Sequence, residues 1–67
     1  MATDDTPTIR LDQFMKVMGL VGTGGQAKIF IQSGAVQVNG VVETRRRKML
    51  KSGDQVTFEG DFHTVSL

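Results

Sequence analysis

The stretch Gly34-Ala35-Val36-Gln37-Val38-Asn39-Gly40-Val41-Val42 is the clearest structural signal in this chain. Valines alternate with Gln37, which is the two-residue period of a strand that buries one face. Asn39-Gly40 is the strongest short signal for a hairpin turn, because the favoured turn needs positive φ angles. Val41 and Val42 then begin a return strand. The stretch therefore predicts an antiparallel β-hairpin.

Two segments before this hairpin have the period of short amphipathic helices. Gly19 follows the first, at a position that suits a left-handed residue after a helix C-terminus. Thr23 and Gln26 are spaced as the partners of a capping box at the start of the second, and Gly34 ends it. The apolar positions are Leu11, Phe14, Met15 and Met18 in the first helix, and Ala27, Phe30 and Ile31 in the second.

The sequence after the hairpin returns to a two-residue period. Val56 and Phe58 alternate with polar residues, and a further alternation runs from Phe62 to Ser66. We therefore predict one α+β domain over residues 9–67, with two short helices packed on a small, mostly antiparallel sheet. Residues 1–8 are polar and acidic and contain the only proline, so we expect a flexible arm there.

Composition argues against several classes of protein. The 67 residues include no cysteine, which excludes disulfides and thiolate zinc sites, and their single histidine, His63, is expected at the surface without a nucleophile nearby. The spacing of a nucleotide-binding phosphate loop is absent. No apolar run approaches the roughly 18 residues of a membrane span, and the N-terminus does not resemble a signal peptide. We expect a cytoplasmic, monomeric, non-catalytic protein without cofactor or metal.

The charged residues are unevenly placed along the chain. Residues 10–51 hold all eight Lys and Arg but only Asp12 and Glu43 among the acids, a formal +6 within an overall +1. The densest part is Thr44-Arg45-Arg46-Arg47-Lys48, with Lys51 shortly after it. Such asymmetry raises the potential at one face and speeds the encounter with a charged partner. It indicates a polyanion, which we interpret as RNA; the alternative is a solvated loop that binds nothing.

An ordered set of motifs resembles the S-four RNA-binding domain, the domain of the fourth small-subunit ribosomal protein, whose helix-pair core is also called the αL motif. The resemblance runs from about Ile9 to Phe58. It is closest to small stand-alone bacterial members, and it implies binding of structured ribosomal or transfer RNA without an attached catalytic domain. A ribosomal subunit is a further candidate partner. The motifs are Arg10-Leu11-Asp12, Gly19, Ala27-Lys28, residues 34–40 and Gly53-Asp54.

The main candidate RNA contacts form what we call the basic run: Arg45, Arg46, Arg47 and Lys48. Long cationic side chains neutralise phosphates and release counterions. Lys28 is a second candidate, since it lies off the apolar helix face and matches a family position rich in Lys or Arg. Arg10, Lys16 and Lys51 are weaker candidates, because Arg10 could instead pair with an acid and Lys51 could serve solubility alone.

Thr23, Gly24 and Gly25 offer a different contact. Free backbone N–H groups at a helix N-terminus can bind a phosphate oxygen. The alternative is a turn that needs glycine for its backbone angles or for close packing. Many family members have Ser-Arg where this chain has Thr23-Gly24. Either the backbone replaces that arginine contact, or the contact is lost.

The expected binding surface is a basic groove between the second helix and the segment after the first hairpin. Two rival functions remain open. In one, the same fold is a ribosome-associated protein-interaction module that makes no direct RNA contact. In the other, the partner is DNA, which predicts comparable affinity for a DNA duplex. A protein that contacts 2′-OH groups would discriminate between the two duplexes. Phe14, Phe30 and Phe58 are spaced as core residues rather than as a platform for bases.

Overall fold

The computed structural model describes residues 6–67 and has the predicted α+β architecture. Two helices precede the Asn39-Gly40 hairpin, and short strands make up the rest. In chain order the elements are β1 (Thr8–Arg10), α1 (Leu11–Val17), α2 (Gly24–Gln32), β2 (Val36–Val38), β3 (Val41–Val42), β4 (Met49–Lys51), β5 (Gln55–Phe58) and β6 (Asp61–Thr64).

The strands form two antiparallel sheets where the sequence predicted one. The larger sheet has the order β3-β2-β5-β6, and the smaller pairs β1 with β4. β1 is too short to show a period in the sequence. Thr8, which we assigned to the arm, pairs with Lys51 as the first residue of β1. Residues 1–5 of the proposed arm lie outside the described residues.

The helix boundaries follow from the glycines and caps that the sequence indicated. Gly19 and Gly34 have φ of 75° and 86° after the two helices. The Gln26 N–H donates to Thr23 Oγ1 at 3.1 Å, as in a capping box. The Gln26 side chain accepts from the N–H of Gly22 rather than that of Thr23, at 2.7 Å. Thr23 is therefore the N-cap, as predicted, and only the reciprocal bond of the capping box is displaced, by one residue, to Gly22.

The hairpin turn is tied to the strand beside it. Asn39 has a φ of 52°. Its side chain accepts from the Gln55 N–H at 2.9 Å and donates to Asp54 at 3.1 Å. Asp54 also accepts from the Lys51 N–H at 2.9 Å. This hydrogen bond is the main cause of a lowered pKa of the Asp54 carboxyl group, and the hydrogen bond from Asn39 is the second. Asn39-Gly40 and Asp54 are thus turn residues, as expected.

The core lies between the helices and the sheets. The prediction that Phe30 and Met18 belong to it is wrong. Phe30 is 36% exposed and meets Phe58 edge-on, with ring centroids 5.1 Å apart. Met18 is 46% exposed. A domain of this size has too little interior to bury the whole apolar stripe of each helix. The buried apolar residues are Leu11, Phe14, Met15, Val21, Ala27, Ile31, Val36, Val38, Leu50, Val56, Phe58 and Val65.

His63 also departs from its expected surface position. It pairs directly with Val56, and residues opposite each other in an antiparallel pair share a face. Its ring therefore lies on the core side of β6. Its Nε2 is buried and has no hydrogen-bond partner among residues 6–67.

Candidate nucleic-acid interface

The basic run is a turn that packs over the beginning of α1. The Leu11 N–H donates to the Lys48 carbonyl at 2.8 Å, and the Asp12 N–H donates to the Arg46 carbonyl at 3.0 Å. Within the turn, the Lys48 N–H donates to the Arg45 carbonyl at 3.2 Å. The first N–H groups of a helix have no partner inside it. Here the basic run supplies that partner, which fixes its backbone against α1.

Asp12 is the centre of the site. It is only 3% exposed, and among residues 6–67 it is the one polar or charged residue that is buried. Its Oδ2 accepts from Nε of Arg46 at 3.1 Å, with Nη2 also at 3.1 Å. Its Oδ1 lies 3.2 Å from Nε of Arg10 and accepts from the Gln13 N–H at 2.8 Å. One buried carboxylate thus holds two of the candidate cations.

The sequence did not indicate that Asp12 pairs with Arg46. The two residues are 34 positions apart, so no local period relates them. The possibility that Arg10 pairs with an acid is confirmed. An aspartate within the first turn of a helix is ordinarily favourable there because of the helix dipole. This local role is enough to explain Asp12 in the sequence, so nothing there pointed to its ion pair with Arg46.

Gly24 lies directly beneath Arg46. A Cβ atom added at Gly24 would be 3.3 Å from Nη2 of Arg46, which is closer than most real Cβ contacts. At Gly25 the nearest group, Thr23 Oγ1, would be 3.8 Å away, an ordinary distance. Neither glycine is among the positive-φ residues of the chain. Special backbone angles are therefore wrong as the reason for these glycines, and the space beside Arg46 agrees with the close-packing alternative at Gly24.

Arg45 is paired with an acid from the preceding segment. Its Nε and Nη2 lie 2.9 and 3.3 Å from the two carboxylate oxygens of Glu43, and its backbone N–H donates to the same group at 3.1 Å. The hydrogen bond from the Arg45 side chain lowers the pKa of Glu43. The pair is at the surface, with the Arg45 side chain 71% exposed, so a phosphate can still reach this guanidinium.

Arg47 and Lys48 complete the run. Neither forms an ion pair with any residue of the range 6–67, and the same holds for Lys28 and Lys51. An open cleft of about 570 Å³ is lined by Arg45, Arg46, Arg47, Lys48 and Met49. A smaller cleft of about 130 Å³ is lined by Arg10, Asp12, Gln13, Lys16, Gly24 and Arg46. We call these the outer and inner clefts.

The two clefts bring together most of the candidate residues. Arg46 lines both, and the inner cleft adds Arg10 and the weaker candidate Lys16. Lys28, Lys51, Thr23 and Gly25 line neither cleft. The expected groove between the second helix and the segment after the hairpin is present at Gly24 and Arg46, and α1 forms a third side that the sequence did not indicate.

The described part of the chain shows two further features. No group of three or more His, Asp or Glu side chains among residues 6–67 is arranged to hold a metal ion. In the same range, no helix has the length and apolar character needed to cross a bilayer.

Comparison with known proteins finds relatives of similar length that are 41% identical to this chain. The chain is 41% identical over 61 residues to the "Putative RNA-binding protein YbcJ" of Escherichia coli (strain K12), covering 91% of this chain and 84% of that protein. It is 41% identical over 56 residues to the "Probable ribosome maturation protein RlbA" of Bacillus subtilis (strain 168), covering 84% and 79%.

A solved structure shares the fold. Heat shock protein 15 of Vibrio cholerae, described as trimeric, superimposes with a TM-score of 0.72 at 24% identity. The match covers 82% of this chain and 55% of that protein, so this chain spans about half of its length. The S4 domain family matches residues 3–66. With nearly the whole sequence matched and relatives above 40% identity, the chain belongs to the S4 domain family.

Proposed function

We propose that this protein binds folded RNA, of the ribosomal or transfer RNA class, through the surface that surrounds the two clefts. The observation that carries the proposal is the gathering of cations from two distant segments, residues 10–16 and residues 45–48, along one side of α1. Arg10, Lys16 and the basic run line the two adjoining clefts, and Asp12 already holds two of these side chains, Arg10 and Arg46. The names of the two relatives support RNA, and one supports a role in ribosome maturation.

Phosphate contacts account for most of the affinity in this proposal. Lys and Arg side chains that neutralise phosphates release condensed counterions, so the affinity falls steeply with salt. Arg47 and Lys48 have no acid to displace among residues 6–67. Arg45 and Arg46 would keep their carboxylate partners and donate from the remaining N–H groups, because a guanidinium has several donors in one plane.

The lining of the clefts favours a duplex or compact fold over an unpaired strand. Proteins that bind single strands stack bases on aromatic side chains. The residues that line the two clefts are charged, polar or glycine, with Met49 as the one apolar side chain among them. Duplex RNA is bound mainly by shape and by phosphate and 2′-OH contacts. A single chain acting in the cytoplasm, without catalysis or cofactor, completes the proposal.

The test compares three ligands in fluorescence anisotropy: an RNA hairpin, the DNA hairpin of the same sequence and an unpaired RNA strand. We expect the tightest binding to the RNA hairpin, with an affinity that falls as salt is raised. Equal binding to the RNA and DNA hairpins would favour the DNA alternative. No binding to any of the three at low salt would leave the protein-interaction module as the better account.

A further inference from the structure

The guanidinium of Arg46 is held by Asp12 and lies against Gly24 before any ligand is present. On one side Nε and Nη2 contact Oδ2 of the buried Asp12, both at 3.1 Å. On the other side Nη2 lies so close to Gly24 that a Cβ there would be only 3.3 Å away. Arg46 is also half-buried, whereas Arg45 and Arg47 are exposed. It is the most restrained side chain of the basic run.

The contacts to Asp12 leave part of this guanidinium available. Nε and Nη2 share one carboxylate oxygen, and no residue in the range 6–67 bonds the Nη1 amino group. Arg10 contacts the other oxygen of Asp12 through Nε. The single negative charge of Asp12 is therefore shared between two arginines, so the cluster retains a positive charge that can attract an anion.

The inner cleft has the size and charge for one small anion. Its volume of about 130 Å³ is well below the roughly 300 Å³ at which drug-sized ligands begin to fit. Three cations line it, Arg10, Lys16 and Arg46, against the one acid beneath them. Arginine suits a phosphate because its planar fork can donate to two oxygens at once.

We propose that the inner cleft binds one phosphate group of the RNA backbone, with Arg46 as the central donor. Asp12 lines the floor of this cleft and is a positioning residue, because its carboxylate holds Arg46 and Arg10 while the guanidinium groups donate to the phosphate. Gly24 provides the space that Arg46 occupies. This inference rests on the proposed RNA function. It places one phosphate contact at a defined cleft, whereas the proposed function assigns phosphate contacts only to the cationic surface as a whole.

The first test uses the sign of a charge effect. Asp12→Asn and Asp61→Asn remove the same charge by the same substitution, and Asp61 is exposed and lines neither cleft. Loss of a negative charge should by itself strengthen RNA binding or leave it unchanged, which we expect for Asp61→Asn. For Asp12→Asn we expect affinity for the RNA hairpin to fall about tenfold, the size of one charge-assisted hydrogen bond.

The second test uses two glycines in the first turn of α2. Gly24→Ala and Gly25→Ala both keep the backbone N–H, and both should preserve or raise the thermal midpoint because alanine favours helix. Only Gly24→Ala pushes against Arg46. We expect it to weaken RNA hairpin binding severalfold while Gly25→Ala does not.

The outcomes separate this inference from the function on which it rests. The inference is overturned if folded Asp12→Asn binds the RNA hairpin as tightly as Asp61→Asn, or if the two glycine variants bind equally. If Asp12→Asn fails to fold, the glycine pair alone decides. If the wild-type protein does not bind the RNA hairpin, the proposed function itself fails, and that result is obtained before any variant is measured.

Discussion

Replacing Arg47 and Lys48 together with glutamine should lower affinity for an RNA hairpin on the order of 100-fold at low salt. Each side chain would lose a charged contact to phosphate, which is typically worth about tenfold or more. The slope of log affinity against log salt should become shallower by about 2, one for each phosphate contact removed. Fluorescence anisotropy at several salt concentrations measures both quantities.

The control changes the net charge by the same amount at a different place on the surface. Gln37→Glu/Gln55→Glu lowers the net charge by as much as Arg47→Gln/Lys48→Gln, but at exposed positions on β2 and β5. It should reduce the affinity far less and leave the salt slope almost unchanged. Both double variants should melt near the wild-type temperature, because none of these four side chains is buried. Equal losses in the two variants would mean that only net charge matters.

Replacing Leu50 with alanine should destabilise the whole domain by about 3 kcal/mol. Leu50 is completely buried and pairs with Ile9 across the small sheet, two residues after the end of the basic run. Domains of this size have only about 3–10 kcal/mol of stability, so a loss of this size leaves the variant marginally folded. The midpoint of thermal unfolding, followed by far-UV circular dichroism, should fall by more than about 10 °C.

Met49→Ala is the matched control for this effect. Met49 is the neighbour of Leu50 in β4 but is 52% exposed, so its truncation should cost within about 0.5 kcal/mol. RNA binding by Leu50→Ala should be reduced in proportion to the unfolded fraction and recover on cooling toward the temperature of maximum stability. If the two variants melt within a few degrees of each other, the small sheet is not coupled to the main core.

Sequence reasoning succeeded where the determinants are local. The Asn39-Gly40 turn, the Thr23 cap and the glycines after each helix depend on residues within four positions of one another. Such signals are present in the chain whatever the rest of the fold does. The motifs of the S4 domain are built largely from these local elements, which explains why the family could be inferred before the structure.

What the sequence did not indicate, or indicated wrongly, concerns contacts between distant segments and the limited size of the core. The approach of Arg46 to Asp12 and Gly24 depends on how the turn after the hairpin folds back over both helices. No spacing along the chain encodes that approach. Phe30 follows the apolar period of α2 yet remains partly exposed, because the sheet beneath it is too small to cover the whole helix face.

The central claim is that RNA is bound at the surface around the start of α1. We would label the protein with nitrogen-15, add an RNA hairpin in steps and follow the backbone amide signals by NMR. The account predicts the largest shifts at residues 10–16, at Gly24 and at residues 45–48, with small shifts across residues 55–64. Shifts concentrated in residues 55–64, with those of the basic run unchanged, would contradict it.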